Sequence, residues 1–113
     1  MVEVPEHLDF QVHQDAGSTV LRVRGEIDLI TASEVRSAVA SVTGPGTHLV
    51  IDLTGVDFLD STGLGSLVWA RKRVRREGGD VLVTSPQPNV RRVLEISGVA
   101  ELVPVEGFPP PRT

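Results

Sequence analysis

Cysteine is absent from this chain of 113 residues. That excludes a disulfide, a thiolate metal site and a cysteine nucleophile. No apolar run is long enough to span a bilayer, and the opening Met1-Val2-Glu3-Val4-Pro5-Glu6 is acidic where a signal peptide would be basic and then apolar. No membrane partner is therefore expected, and cytoplasmic residence is the expectation. Positive charge is in the minority: 11 Lys and Arg against 15 Asp and Glu leave a net charge of -4, which argues against nucleic acid as the main partner. Aromatic residues make up only 4%, too few to turn the cationic run Arg71-Lys72-Arg73-Val74-Arg75-Arg76 into a stacking platform for single strands. That run reads more simply as cations gathered where a helix dipole ends.

Histidine is also scarce, with only His7, His13 and His48. None has a companion motif that would make it the base of a serine hydrolase, and no Gly-x-Ser-x-Gly elbow is present. Gly63-Leu64-Gly65 lacks the third glycine of a dinucleotide fingerprint, and no Walker lysine follows a glycine-rich loop. No catalytic, cofactor or metal site is assigned, and the chain is expected not to be an enzyme.

What the chain does have is alternation of strand and helix patterns, in a length suited to one domain with a real core. Leu8, Phe10 and Val12 alternate as a half-buried strand. Asp15 to Ser18 is turn chemistry, and Thr19 to Arg24 is a second strand that Gly25 breaks. Thr31-Ala32-Ser33-Glu34 fits a capping box, with Glu34 reaching back to the Thr31 amide. The helix that follows presents Ala32, Val35, Val39 and Val42 and stops at Gly44-Pro45-Gly46. His48 to Leu53 is apolar enough for a parallel strand covered on both faces, and Thr54 to Leu59 is a linker.

A second helix is expected from Leu64, Leu67, Val68 and Val74, ending at Gly78-Gly79. Asp80 to Thr84 is a strand. Pro88 opens a third helix carrying Val90, Val93, Leu94 and Ile96, and Leu102 to Val105 is a last edge strand. Residues 106–113 with their three prolines are expected to be a disordered tail, and residues 1–7 an N-terminal extension. The order β-β-α-β-α-β-α-β makes a single α/β domain over residues 8–105, with a mixed sheet.

The most informative segment is Asp60-Ser61-Thr62-Gly63-Leu64-Gly65, which carries the chain into the second helix. Ser61 is either a plain helix cap or a phosphorylation switch, since the first-turn N–H groups and the dipole favour negative charge. Asp28, Asp57, Asp60 and Ser61 share the edge formed by the strands' C-terminal loops, where a solvated or capping role for the carboxylates is favoured over a metal site. Within the second helix, Arg71 falls on the apolar side and must snorkel or find an acid. Trp69 falls outward, in line with Thr62, Ser66 and Arg73, either as a binding anchor or laid over neighbouring loops.

Gly25-Glu26-Ile27-Asp28, Leu49-Val50-Ile51-Asp52-Leu53 and Val56-Asp57-Phe58-Leu59-Asp60-Ser61-Thr62-Gly63-Leu64-Gly65 together resemble bacterial anti-anti-sigma factors, anti-sigma factor antagonists built as a STAS domain. Ser85-Pro86 and Ile96-Ser97-Gly98-Val99 match the same pattern, and the likeness covers about residues 8 to 105. The resemblance implies partner switching in stress response or sporulation. The unmodified protein binds an anti-sigma factor that is also a serine kinase and frees the sigma factor; phosphorylation ends the interaction, and a serine phosphatase restores it. It implies Ser61 as the phosphorylated residue and Asp28, Asp60, Thr62, Gly63, Leu64, Ser66 and Trp69 as the partner-facing region. One departure is the Pro-rich tail, which stands where such proteins carry a final amphipathic helix. Alternatives in the same fold are a non-phosphorylated scaffold or a ligand-sensing subunit of a larger complex.

Overall fold

The computed structural model describes residues 8–112; the expected N-terminal extension, residues 1–7, lies outside them. Strands β1 (Asp9–Asp15), β2 (Ser18–Ile27), β3 (His48–Leu59) and β4 (Asp80–Thr84) form one sheet in the order β1-β2-β3-β4. β1 and β2 are antiparallel, while β2, β3 and β4 run parallel. Helices α1 (Ala32–Val42), α2 (Ser61–Arg76) and α3 (Pro88–Ile96) complete the order β-β-α-β-α-β-α, so the α/β class is as expected.

Apolar side chains from one sheet face and from all three helices merge into a single core. Leu21, Val23, Leu49, Ile51, Leu53, Val81 and Val83 alternate along the strands, and Val35, Val39, Leu67, Val74, Val90 and Leu94 meet them. Each such side chain stabilises by about 1.5–3 kcal/mol when fully buried. Coverage of β3 on both faces does not hold. Leu82 next to it is 39% exposed, and the Arg22–Asp52 ion pair spans β2 and β3 at 3.2 Å on the side away from Leu21 and Ile51.

Three strand expectations need correction. β2 does not stop at Gly25; that residue, at φ 124°, carries the chain on to Ile27. The expected linker Thr54 to Leu59 is strand, because β3 absorbs one extra residue opposite Val23 and another at Asp57. These bulges put Leu53, Val56 and Leu59 inward at a spacing of three, which hides a strand from a period-two reading. Leu102 to Val105 is not a strand: after a 3-10 turn at Val99–Glu101 it makes one bridge, Val105 with Val83. Pro104 contributes a carbonyl to the Val83 N–H but has no N–H of its own, so the ladder goes no further.

The tail is held at its start rather than free. Phe108 packs against the core with the Arg91 guanidinium 4.2 Å over its ring, and Arg91 donates to the carbonyls of Gly107 and Glu106. Ile96, expected on the apolar side of α3, is instead 70% exposed.

Arg71 does find its acid. It is buried and donates through Nε to Asp80 Oδ1 at 3.0 Å and through Nη1 to the Leu102 carbonyl at 2.9 Å, tying α2 to β4 and to the C-terminal segment. Arg71→Met keeps the stem but leaves both acceptors without their donor, and should cost about 1–3 kcal/mol of unfolding free energy in a urea titration.

Burial alone would raise the Asp80 carboxyl, but hydrogen bonds from Arg71 and the Val81 N–H, with the charges of Arg71 and Arg75, hold it below the ordinary carboxylate value. At Asp52 burial again pushes upward and is outweighed by Thr54 and Arg22. Groups depressed in the folded state bind protons more tightly when unfolded. Their contribution is therefore complete above about pH 4, the unfolded carboxylate range, and is lost as pH falls from there. Stability followed from pH 6 to pH 3 should lose this contribution only below about pH 4, and Asp80→Asn should flatten that part of the decline.

Candidate partner-binding and modification site

The site is built where β2 and β3 end side by side. Ile27 pairs with Leu59, and the Asp60 N–H donates to the Ile27 carbonyl at 3.2 Å, so the segments starting at Asp28 and Asp60 leave the sheet together. Gly63 brings α2 down onto this junction. A Cβ at that position would lie 2.6 Å from the Ile27 carbonyl oxygen and 2.6 Å from Leu59 Cδ1.

Asp60, not Ser61, is the N-cap. Its Oδ1 accepts from the N–H groups of Thr62 at 2.9 Å and Gly63 at 3.0 Å. Ser61 is the first helical residue, exposed, and its hydroxyl takes part in no hydrogen bond among the described residues. The choice between cap and free hydroxyl is thereby decided. Two first-turn donors are already occupied, so a phosphate on Ser61 would not be absorbed by them. It would stand out from the helix beside the Asp60 carboxylate.

Asp28 organises the neighbouring loop. Its Oδ1 accepts from the N–H groups of Ile30 and Thr31, and its carbonyl accepts from the Ala32 N–H. The expected capping box does not form. Thr31 Oγ1 donates to the Glu26 carbonyl at 2.6 Å, and Glu34 Oε1 accepts from the Leu8 N–H, away from Thr31. Asp57 is turned toward α3: Gln87 Nε2 donates to its Oδ1 and Asn89 Nδ2 to its carbonyl. The carboxylates of Asp28 and Asp60 serve the backbone, and among the described residues no three His, Asp or Glu side chains gather as a metal site.

The expected partner-facing residues divide. Ser61 is exposed, and Asp28, Asp60, Thr62 and Trp69 are partly so. Gly63 and Leu64 are buried beneath the helix start, and Ser66 is wholly buried with its hydroxyl donating to the Gly63 carbonyl at 2.6 Å. Ser66 therefore does not stand on the surface with Trp69, although the two lie only about 60° apart around an ideal helix. α1 packs beside α2 and sets Arg36 over Trp69. Trp69 is not outward either; it is half-buried, with Arg36 of α1 and Arg73 of α2 over its ring.

Leu29 and Ile30, 77% and 68% exposed at the tip of the Asp28 loop, escaped sequence reasoning. The available signal was two adjacent apolar residues between a strand and a helix cap, where neither periodicity buries them.

The STAS domain family model matches residues 7–109. The chain belongs to the STAS domain family. A relative, the anti-sigma F factor antagonist of Paenibacillus polymyxa, is 30% identical over 101 residues, spanning 88% of this chain and 86% of its own length. The crystal structure of an anti-sigma factor antagonist from Mycobacterium paratuberculosis matches this STAS domain with a TM-score of 0.79 at 30% identity, covering 95% of this chain and 92% of that one. The anti-sigma factor antagonist SpoIIAA shares the fold in its unphosphorylated form, at TM-score 0.67 and 22% identity over 86% of this chain and 87% of its own. In its phosphorylated form the values are 0.60 and 21%, over 86% and 90%. Among the described residues of this STAS domain, no helix is long and apolar enough to cross a membrane.

Proposed function

We propose that this STAS domain is an anti-sigma factor antagonist. It binds an anti-sigma factor with serine kinase activity, releases the sigma factor, and loses that binding when the kinase phosphorylates Ser61; a serine phosphatase resets it. The observation that carries this reading is the free, exposed Ser61 hydroxyl on the first residue of a helix already capped by Asp60. A kinase can reach that oxygen without unfolding the helix. The added charge of about -1.5 to -2 would then stand next to Asp60 at a surface fitted to a neutral hydroxyl.

Around Ser61, the partly exposed Asp28, Asp60 and Thr62 form a polar rim, and Leu29 and Ile30 offer apolar area of the kind that binding sites use. Incubation with ATP and the anti-sigma kinase of the same organism should add one phosphate to the wild type and none to Ser61→Ala, as measured by mass spectrometry. Equal labelling of both proteins would refute Ser61 as the acceptor. No labelling by any such kinase would leave a constitutive scaffold as the better account.

A further inference from the structure

Two arginines converge on the single tryptophan of this chain, and among the described residues neither pairs with an acid. Arg36 on α1 places Cζ 6.0 Å from the Trp69 ring centroid, and Arg73 on α2 places its own 5.7 Å away. Arg22 and Arg71 each pair with an aspartate, whereas among the described residues no ion pair or hydrogen bond engages Arg36 or Arg73. The Nε of Arg73 is shut off from solvent with no acceptor. We propose that Arg36, Trp69 and Arg73 form a clasp for an acidic segment of a partner protein, a contact separate from Ser61.

An indole ring attracts a guanidinium, but two cations held near one ring repel each other. A carboxylate that approaches these guanidiniums from solvent offsets part of their charge and offers an acceptor to their accessible N–H groups. Its two oxygens match the guanidinium fork. The field around the clasp favours such a ligand, because Lys72, Arg75 and Arg76 are exposed on the last turns of the same helix. A phosphate group fits less well. Trp69 lies eight residues after Ser61, about 12 Å along the helix from its N-terminal N–H groups. A small anion would also leave the exposed part of the indole uncovered, while a peptide lies across it, and Trp with Arg is the pairing found at interface hot spots.

Because Trp69 is the only tryptophan, its fluorescence reports the clasp directly. The probe is a hexaglutamate peptide titrated at low ionic strength, with hexaglutamine and inorganic phosphate as comparisons. Wild type should show a saturable emission change with hexaglutamate alone. Arg36→Gln/Arg73→Gln should bind about tenfold more weakly or worse, a loss expected when both charged contacts go. Lys72→Gln/Arg76→Gln should change the midpoint far less, and Ser61→Asp should bind like wild type, so the outcome stands apart from the phosphorylation reading. The proposal is overturned by an absent or unsaturable response, by equal weakening in the two double variants, or by phosphate binding as tightly as the peptide.

Discussion

Gly63→Ala is expected to lower the unfolding free energy by about 1–3 kcal/mol, the usual cost of forcing a methyl group into packed surroundings. The added Cβ would sit 2.6 Å from the Ile27 carbonyl oxygen and 2.6 Å from Leu59 Cδ1, and 2.8 Å from Ile27 Cγ2. Leu59 can rotate, but the carbonyl is part of the β2 backbone and accepts from the Asp60 N–H, so it has no room to retreat. The start of α2 must lift from the sheet, carrying Asp60 and Ser61 with it. The variant should therefore lose partner affinity even at temperatures where it remains folded. Gly65→Ala is the control: nothing lies within 4 Å of its Cβ, the position is exposed, and helix propensity should leave the fold unchanged or slightly more stable. Urea unfolding of the two variants side by side checks the contrast, and equal stabilities would contradict the close-approach role of Gly63.

Ser61→Asp is expected to weaken binding to the anti-sigma partner by about 5- to 150-fold, the range of a 1–3 kcal/mol coupling, while Ser61→Ala keeps the wild-type affinity. The reasoning is local. Asp60 Oδ1 already holds the Thr62 and Gly63 N–H groups, so a new carboxylate at Ser61 has few donors to settle on and faces outward. The helix dipole still favours negative charge there, by about 0.3–1 kcal/mol, which offsets the repulsion from Asp60. Fold stability should therefore change little while affinity falls. Titration calorimetry with thermal melts of the same three proteins separates the two effects; similar affinities for the Ala and Asp variants would rule out charge as the trigger.

The α/β class and all three helices were legible in the sequence because the signals are local and strong: period-2 and period-3.6 burial, Pro88 at a helix start, and glycines after helices. The need of Arg71 for an acid was legible for the same reason, since its position on the apolar side of α2 is fixed by helical spacing. What was not legible depends on tertiary contact. The bulges that extend β3 through Leu59 arise from pairing with β2, and the diversion of Thr31 and Glu34 from a capping box arises from Glu26 and Leu8. Asp60 took the cap because it, and not Ser61, precedes the first helical residue, a one-residue difference that pattern reading leaves open. Ser66 and Trp69 were misplaced because an isolated helical wheel has no knowledge of α1 lying beside α2.

The most direct measurement compares the affinity of the anti-sigma partner for this protein before and after stoichiometric phosphorylation of Ser61. The account predicts tight binding of the unmodified form, a loss of about 5-fold or more on phosphorylation, and recovery after phosphatase treatment. Unchanged affinity in the fully phosphorylated protein would contradict it.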